Sequence, residues 1–219
     1  MSAFLLNYFN NRLKNLNISD EDKNNKRVFD TFNNALQEFY RTNLKNKKII
    51  DLGCGDRSFI NFCNKNNCYC DGFDISDNIN FEKDSLPLID NSVDVIILRS
   101  LIEHLNNPSL IITETMRCLK KDGIIIIVTP NFYFNFKNFY HDPTHVKPYT
   151  HKSLLKLLEI YNFNNIKVLP WLVCKPLWMW KLKYNFIFAN YLIPFRGDFK
   201  LAPSFLKGKT KSILALAKK

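Results

Sequence analysis

Two glycines one residue apart, in the stretch Lys48-Ile49-Ile50-Asp51-Leu52-Gly53-Cys54-Gly55-Asp56, restrict this chain more than any other feature. The β-branched pair Ile49 and Ile50 runs into an acidic residue and then into a turn, the pattern of a buried strand that opens a helix through a tight loop. The helix is expected to begin near Ser58. Its unpaired N–H groups carry roughly half a positive charge, enough to hold a carboxylate or a phosphate. A strand, turn and helix in that order belong to an α/β fold whose ligand lies at the carboxyl end of the strand.

Two cofactor classes use such a turn. A dinucleotide fingerprint wants a third glycine, but Gly55 is followed by Asp56, Arg57 and Ser58. Asp51 would also repel a pyrophosphate, whereas it suits a ligand carrying an ammonium and a sulfonium. Here the chain resembles the class I S-adenosylmethionine (SAM) dependent methyltransferases, whose first motif is acidic-x-G-x-G. The resemblance implies that Asp51, Gly53, Cys54 and Gly55 line the cofactor.

Cys68 to Phe73 reads as a second strand ending at Asp74, 23 positions after Asp51, where a carboxylate can accept both hydroxyls of a ribose. Asp74-Ile75-Ser76 resembles the family segment whose apolar residue lies against adenine. Asp84-Ser85-Leu86-Pro87 resembles the segment whose Asp bonds the adenine amino group. The run Ser92-Val93-Asp94 into Val95–Leu98 is expected to be the fourth strand, and Arg99 to Leu105 resembles the segment ending E-H-L. The resemblance adds Asp74, Ile75, Asp84, Ser85 and Arg99 to the cofactor site. It covers about residues 45 to 170 and the last strand.

The order βαβ throughout fits a Rossmann-like, doubly wound, mostly parallel sheet of seven strands with the last antiparallel. Helices over residues 1–46 precede a methyltransferase domain over 47–219. The helix after Ser19 has Val28, Phe29, Phe32, Ala35, Leu36, Phe39 and Tyr40 on its apolar face, and an earlier one carries Leu5, Leu6, Phe9, Leu13 and Leu16. A helix from Asn107 to about Leu119, a fifth strand at Ile124–Val128, a helix capped by Thr150, a sixth strand at Ile166–Leu169 and a seventh at Ser212–Ala217 complete the reading. Phe132 to Tyr140 reads as an aromatic loop.

The net charge is +11, and residues 151–219 hold 13 Lys and Arg against 2 acidic residues, while 1–150 hold 18 of each. The excess is local. Residues 171–210 form a basic, aromatic insertion, the composition of a segment that lies in a membrane interface, and are expected to attach to an anionic surface. No run there reaches the roughly 18 apolar residues needed to span a bilayer. The six cysteines lack paired C-x-x-C spacing and are expected to be reduced in a cytoplasmic protein, peripheral on the membrane through the insertion. The N-terminus is not read as a signal peptide, because Asn and Arg soon interrupt its apolar residues.

Methyl transfer from a sulfonium needs an aligned nucleophile, and a hydroxyl acceptor also needs a base, for which histidine is suited. His141-Asp142-Pro143-Thr144-His145-Val146-Lys147-Pro148-Tyr149 resembles a segment of methyltransferases acting in glycan and lipid-linked pathways. His145 and His104 are the candidate bases, with Asp142 to orient His145. His141 is a weaker rival, and His151 is expected on a helix surface. The pair His141 and His145 with a Pro between them is not read as a metal site. The place after the fourth strand reads Arg99-Ser100-Leu101-Ile102, without the Pro-Pro of base-methylating enzymes, which argues against nucleic acid as acceptor. The expected reaction is O-methylation of a small-molecule, sugar, glycan or lipid-linked acceptor. The alternative is a non-catalytic protein that keeps the fold and docks on membrane or RNA through its basic tail.

Overall fold

The structure, a computed structural model, describes residues 18–171, 195, 196, 201 and 207–219. The expected helix around residues 4–16 and nearly all of the 171–210 insertion lie outside these residues. Helix α1 (Ile18–Tyr40) leads into β1 (Lys48–Leu52), α2 (Ser58–Lys65), β2 (Tyr69–Phe73) and β3 (Val93–Arg99). Then come α3 (Ser109–Cys118), β4 (Leu119–Pro130), α4 (Phe132–Phe139), α5 (His151–Ile160) and β5 (Asn164–Pro170). Short strands β6 (Phe195–Arg196) and β7 (Lys207–Lys209) pair with each other, and β8 (Ser212–Lys218) closes the chain.

The main sheet has six strands in the order β2-β1-β3-β4-β8-β5. Four pair in parallel, and β8 enters antiparallel between β4 and β5. Both faces are covered, which is why the strands read as unbroken apolar runs. Ile50, Leu52, Ile96, Leu98, Ile125 and Ile127 point to one core with Ile111, Ile112, Leu154 and Leu158 of α3 and α5. The alternate residues Ile49, Val95, Ile97, Ile124 and Ile126 point to the other, against Phe32 and Leu36 of α1 and Phe59 of α2. Helix α1 thus belongs to the same packed body as the sheet. Truncating any of these fully buried isoleucines to Ala costs about 2–5 kcal/mol.

Of the seven expected strands the third, implied between β2 and β3, does not form among the described residues, while the expected seventh is β8. The Leu86 N–H donates to Glu114 Oε2 at 2.7 Å, and Asn80 N–H donates to Asp84 Oδ2 at 2.8 Å, so side chains take the donors a strand ladder would use. Arg117 completes this arrangement. Its guanidinium reaches Leu86 O at 3.0 Å, Leu88 O at 2.8 Å, Glu114 at 2.7 and 2.9 Å, and Asp90. Glu114 is held below the usual carboxylate range chiefly by its hydrogen bond to Arg117. Arg117→Ala should therefore cost about 2 kcal/mol, because it strands Glu114 and two carbonyls at once. Urea unfolding would measure the loss, and proteolysis between Leu86 and Ser92 should quicken; unchanged values for both would refute the clamp.

A second departure is α4. Phe132–Phe139 forms a helix rather than a loop, because Asn131 Oδ1 accepts the Tyr133 N–H at 3.2 Å and caps its start. At the start of α5, Thr150 and Ser153 form a reciprocal capping box, as Thr150 in that position predicts.

Candidate functional site

The carboxyl ends of β1, β2 and β3 converge on the turn at 53–57. Gly53 and Gly55 take left-handed φ of 75° and 59°. The Gly53 N–H donates to Phe73 O at 2.8 Å, so the turn folds against the end of the neighbouring strand. Arg57 also sits left-handed, at φ 61°, a conformation that costs a side-chain residue roughly 1 kcal/mol. Its guanidinium offsets this by reaching Asp77 at 3.0 and 3.1 Å and Asp71 at 3.3 Å, which ties the first turn to the one after β2. Arg57 thus stands where a glycine would be easier, and its charge joins the two turns.

Asp51 is 1% exposed, and neither of its carboxylate oxygens has a hydrogen-bond partner among the described residues. Burial, opposed by Arg99 and reinforced by Asp74 and Asp56, pushes its pKa up to about 6. A buried, unpaired carboxylate is costly, and it fits a ligand that brings a cation with N–H donors. Arg99 stays near by stacking over Phe59, 4.9 Å from the ring centre. Burial, with Asp51 next, pushes the Cys54 thiol up to about 12, which leaves it a neutral wall of the turn.

Asp74 accepts the Gly55 N–H at 2.9 Å through one oxygen and the Ile75 N–H at 2.7 Å through the other. The carboxylate is aimed at the turn and keeps spare lone pairs for a polyol. Ile75 is half-buried beside it. Asp84 and Ser85 are exposed on the segment between β2 and β3, with Asp84 turned back onto Asn80.

His104 and His145 meet, with ring centres 4.8 Å apart. His104 follows β3 by a short turn, and His145 lies between α4 and α5. Val146 N–H and Lys147 N–H both donate to Glu103 O, at 2.9 and 3.0 Å, and pin the two segments together. The His145 Nδ1–H donates to Phe139 O at 2.7 Å. The His104 Nδ1–H donates to Thr144 O at 3.1 Å and Thr144 Oγ1 at 2.9 Å. Both rings thereby keep the proton on Nδ1, and Nε2 is the basic nitrogen of each.

Phe139 O fixes the His145 ring through its Nδ1. Asp142 holds Thr144, accepting from its N–H at 3.0 Å and from its hydroxyl, while its second oxygen lies 3.9 Å from His145 Nε2. His141 is exposed and stands apart from this group.

Sequence reasoning named both histidines but not Glu103, which is 1% exposed and accepts the Thr129 hydroxyl at 3.0 Å. It also missed Tyr149, whose buried hydroxyl has no partner among the described residues and whose pKa is raised by burial, then by Glu103. The E-H-L segment was the available signal, but a Glu beside a His reads as surface unless the fold is known.

Residues 23–168 match the family described as a methyltransferase domain. A curated relative in Mycolicibacterium smegmatis, described as a probable S-adenosylmethionine-dependent methyltransferase, is 32% identical over 80 residues, 36% of this chain and 31% of that protein. The chain thus matches less than a third of that relative's length. Among solved structures, a SAM-dependent methyltransferase from Archaeoglobus fulgidus aligns over 85% of this chain and 92% of its own, at TM-score 0.58 and 21% identity. One from Mesorhizobium loti aligns over 84% and 96%, at TM-score 0.60 and 13% identity. At these identities the structural likeness concerns the fold.

Proposed function

The chain belongs to the methyltransferase-domain family, whose class I members take S-adenosylmethionine as cofactor, and from that premise we propose that it O-methylates a sugar, glycan or lipid-linked acceptor. The observation that carries the reading is the histidine pair: two imidazoles in contact, both with the proton fixed on Nδ1. Leu101, three residues before His104, packs on the cofactor turn, since a Cβ placed on Gly53 would lie 3.2 Å from Leu101 Cδ1.

When bound, the cofactor supplies an electrophilic methyl on a sulfonium. Asp51 would hold its ammonium, Gly53, Cys54 and Gly55 would give it close backbone, Asp74 would accept the ribose hydroxyls, and Ile75, Asp84 and Ser85 would serve the adenine side. Arg99 balances Asp51 from below. The acceptor hydroxyl gives its proton to Nε2 of His145 or His104, and positioning supplies several kcal/mol of the remaining barrier. Exposed Tyr133, Phe136 and Tyr140 on and after α4 offer flat apolar faces, Tyr140 packing on the Phe139 ring that in turn packs on His145, and a sugar ring or lipid chain is the acceptor that such faces suit. Attachment to an anionic surface through residues 171–210 is part of the same reading; among the described residues no helix is long and apolar enough to cross a membrane.

Calorimetric titration with SAM, beside Asp74→Ala, tests the cofactor half. Asp74→Ala should weaken binding by about 100-fold, since it removes charge-assisted bonds to two hydroxyls and loosens Gly55. Equal affinity in both proteins would remove Asp74 from the site. An acceptor screen over glycans and lipids, with His145→Ala and His104→Ala losing turnover but not SAM binding, tests the acceptor half.

A further inference from the structure

We propose that Glu103, His104 and His145 form a binding site for one divalent transition-metal ion of the zinc class. One donor atom from each of the three side chains lies within 4.8 Å of the others. Two imidazoles and one carboxylate are the donor set of a zinc centre that keeps its fourth position open, whereas magnesium and calcium take oxygen ligands.

The surroundings are those of a prepared site. A metal-binding histidine donates its other ring N–H to a carbonyl or carboxylate, which fixes the ring and makes the free nitrogen more basic. Phe139 O does this for His145 at 2.7 Å, and Thr144 O for His104 at 3.1 Å. The carboxylate is held in turn, since Thr129 Oγ1 donates to Glu103 Oε2 at 3.0 Å. Asp142 Oδ2 lies 3.9 Å from His145 Nε2.

Zinc bonds of about 2.0–2.1 Å in a tetrahedral frame put donors roughly 3.4 Å apart, so the ion draws the three side chains together. The segments that move are already joined through Glu103 O to Val146 and Lys147. Helical H-x-x-x-H spacing plays no part, because His141 is outside the group; the ligands come from two separate segments that the sheet brings together.

Ion binding stands on this geometry alone. Its role in catalysis rests on the O-methylation reading: the open position would take the acceptor hydroxyl, whose acidity the ion would raise toward neutral pH, so that the hydroxyl proton passes to solvent water as the oxygen attacks the methyl. With the ion bound both Nε2 atoms are ligands and take no proton, whereas without it they are the bases; a chelator separates the two cases, since histidine bases act in its presence.

The test uses the full chain, dialysed against EDTA and titrated with Zn²⁺ alone by calorimetry, with Co²⁺ absorption in the visible as a second readout. One equivalent is expected to bind. His145→Ala and Glu103→Gln should each weaken that binding by more than about 100-fold and remove the Co²⁺ bands, and Thr129→Val should weaken it by about 10-fold. Thermal melts without metal identify any variant that fails to fold; His145, on a surface loop, carries the test if Glu103→Gln does. No binding to the full chain, or equal binding in folded His145→Ala, overturns the proposal. SAM affinity in the same samples reports separately on the cofactor site, so failure of the metal site and failure of the methyltransferase reading are distinguishable.

Discussion

Replacing Asp51 by Asn is expected to cut SAM affinity by roughly 100-fold or more while making the ligand-free protein more stable at pH 7. The loss follows from removing the only buried carboxylate that β1 aims at the turn; a desolvated charge pair of this kind is worth about 2–5 kcal/mol when one partner is truncated. The gain follows from the same burial. The Asp51 pKa is raised from 3.8 to about 6 in the folded chain, so the folded state binds a proton more tightly than the unfolded state does. The stabilisation from that neutral carboxyl is fully present below 3.8 and is lost as pH rises through about 6. By pH 7 the ionised, unpaired carboxylate costs up to about 3 kcal/mol, of which a buried amide recovers part.

Urea unfolding of both proteins at pH 4 and pH 7 measures this. The variant's advantage should grow with pH, by about 2.5 kcal/mol over the interval. By the same linkage the wild-type affinity for SAM should fall toward tenfold per unit below pH 6. A variant less stable than wild type at pH 7, or one that binds SAM normally, would sink the reading of Asp51 as a strained ligand group.

Gly72→Ala should destabilise the protein by about 3 kcal/mol, at the upper end of what one inserted methyl costs in a packed core. A Cβ on Gly72 would lie 2.4 Å from Asp51 O, 2.8 Å from Ile60 Cδ1 and 3.1 Å from Cys54 Cβ. The first of these is backbone of the paired strand, with Asp51 opposite Gly72 in the β1–β2 register, so no side-chain rotation relieves it. Strand β1 must shift, and it carries Asp51 and the glycine turn with it. For a chain of this size the melting temperature should fall by about 6–12 °C, and SAM affinity should fall as well. A melt within about 1 °C of wild type would show that β2 yields instead, leaving β1 and the cofactor turn in place.

The two predictions differ in how they could be found. Asp51 is legible in the sequence because an acidic residue between β-branched residues and paired glycines has few other uses. Gly72 is not, since it sits inside a strand with nothing to distinguish it until Asp51 O and Ile60 are seen against it.

What the sequence by itself determined is the strand, turn, helix and strand unit from β1 to β2. Strand, turn, helix and second strand are consecutive, so the spacing from Asp51 to Asp74 already places both carboxylates at neighbouring strand ends, and β8 at Ser212–Lys218 was readable from its apolar run. It expected seven strands where the main sheet has six among the described residues, because Glu114 and Arg117, further along the chain, take backbone groups that a strand between β2 and β3 would have used. It took α4 for a loop because that helix owes its start to the Asn131 cap. Only the tertiary structure decided the histidine half. His104 and His145 stand 41 positions apart in the chain and read as rivals. The sheet sets them ring to ring, with the two segments joined by the Val146 and Lys147 N–H groups on Glu103 O and the tautomers fixed by Thr144 and Phe139. Local spacing encodes contacts made within one βαβ unit; a site assembled between loops depends on the register of the whole sheet.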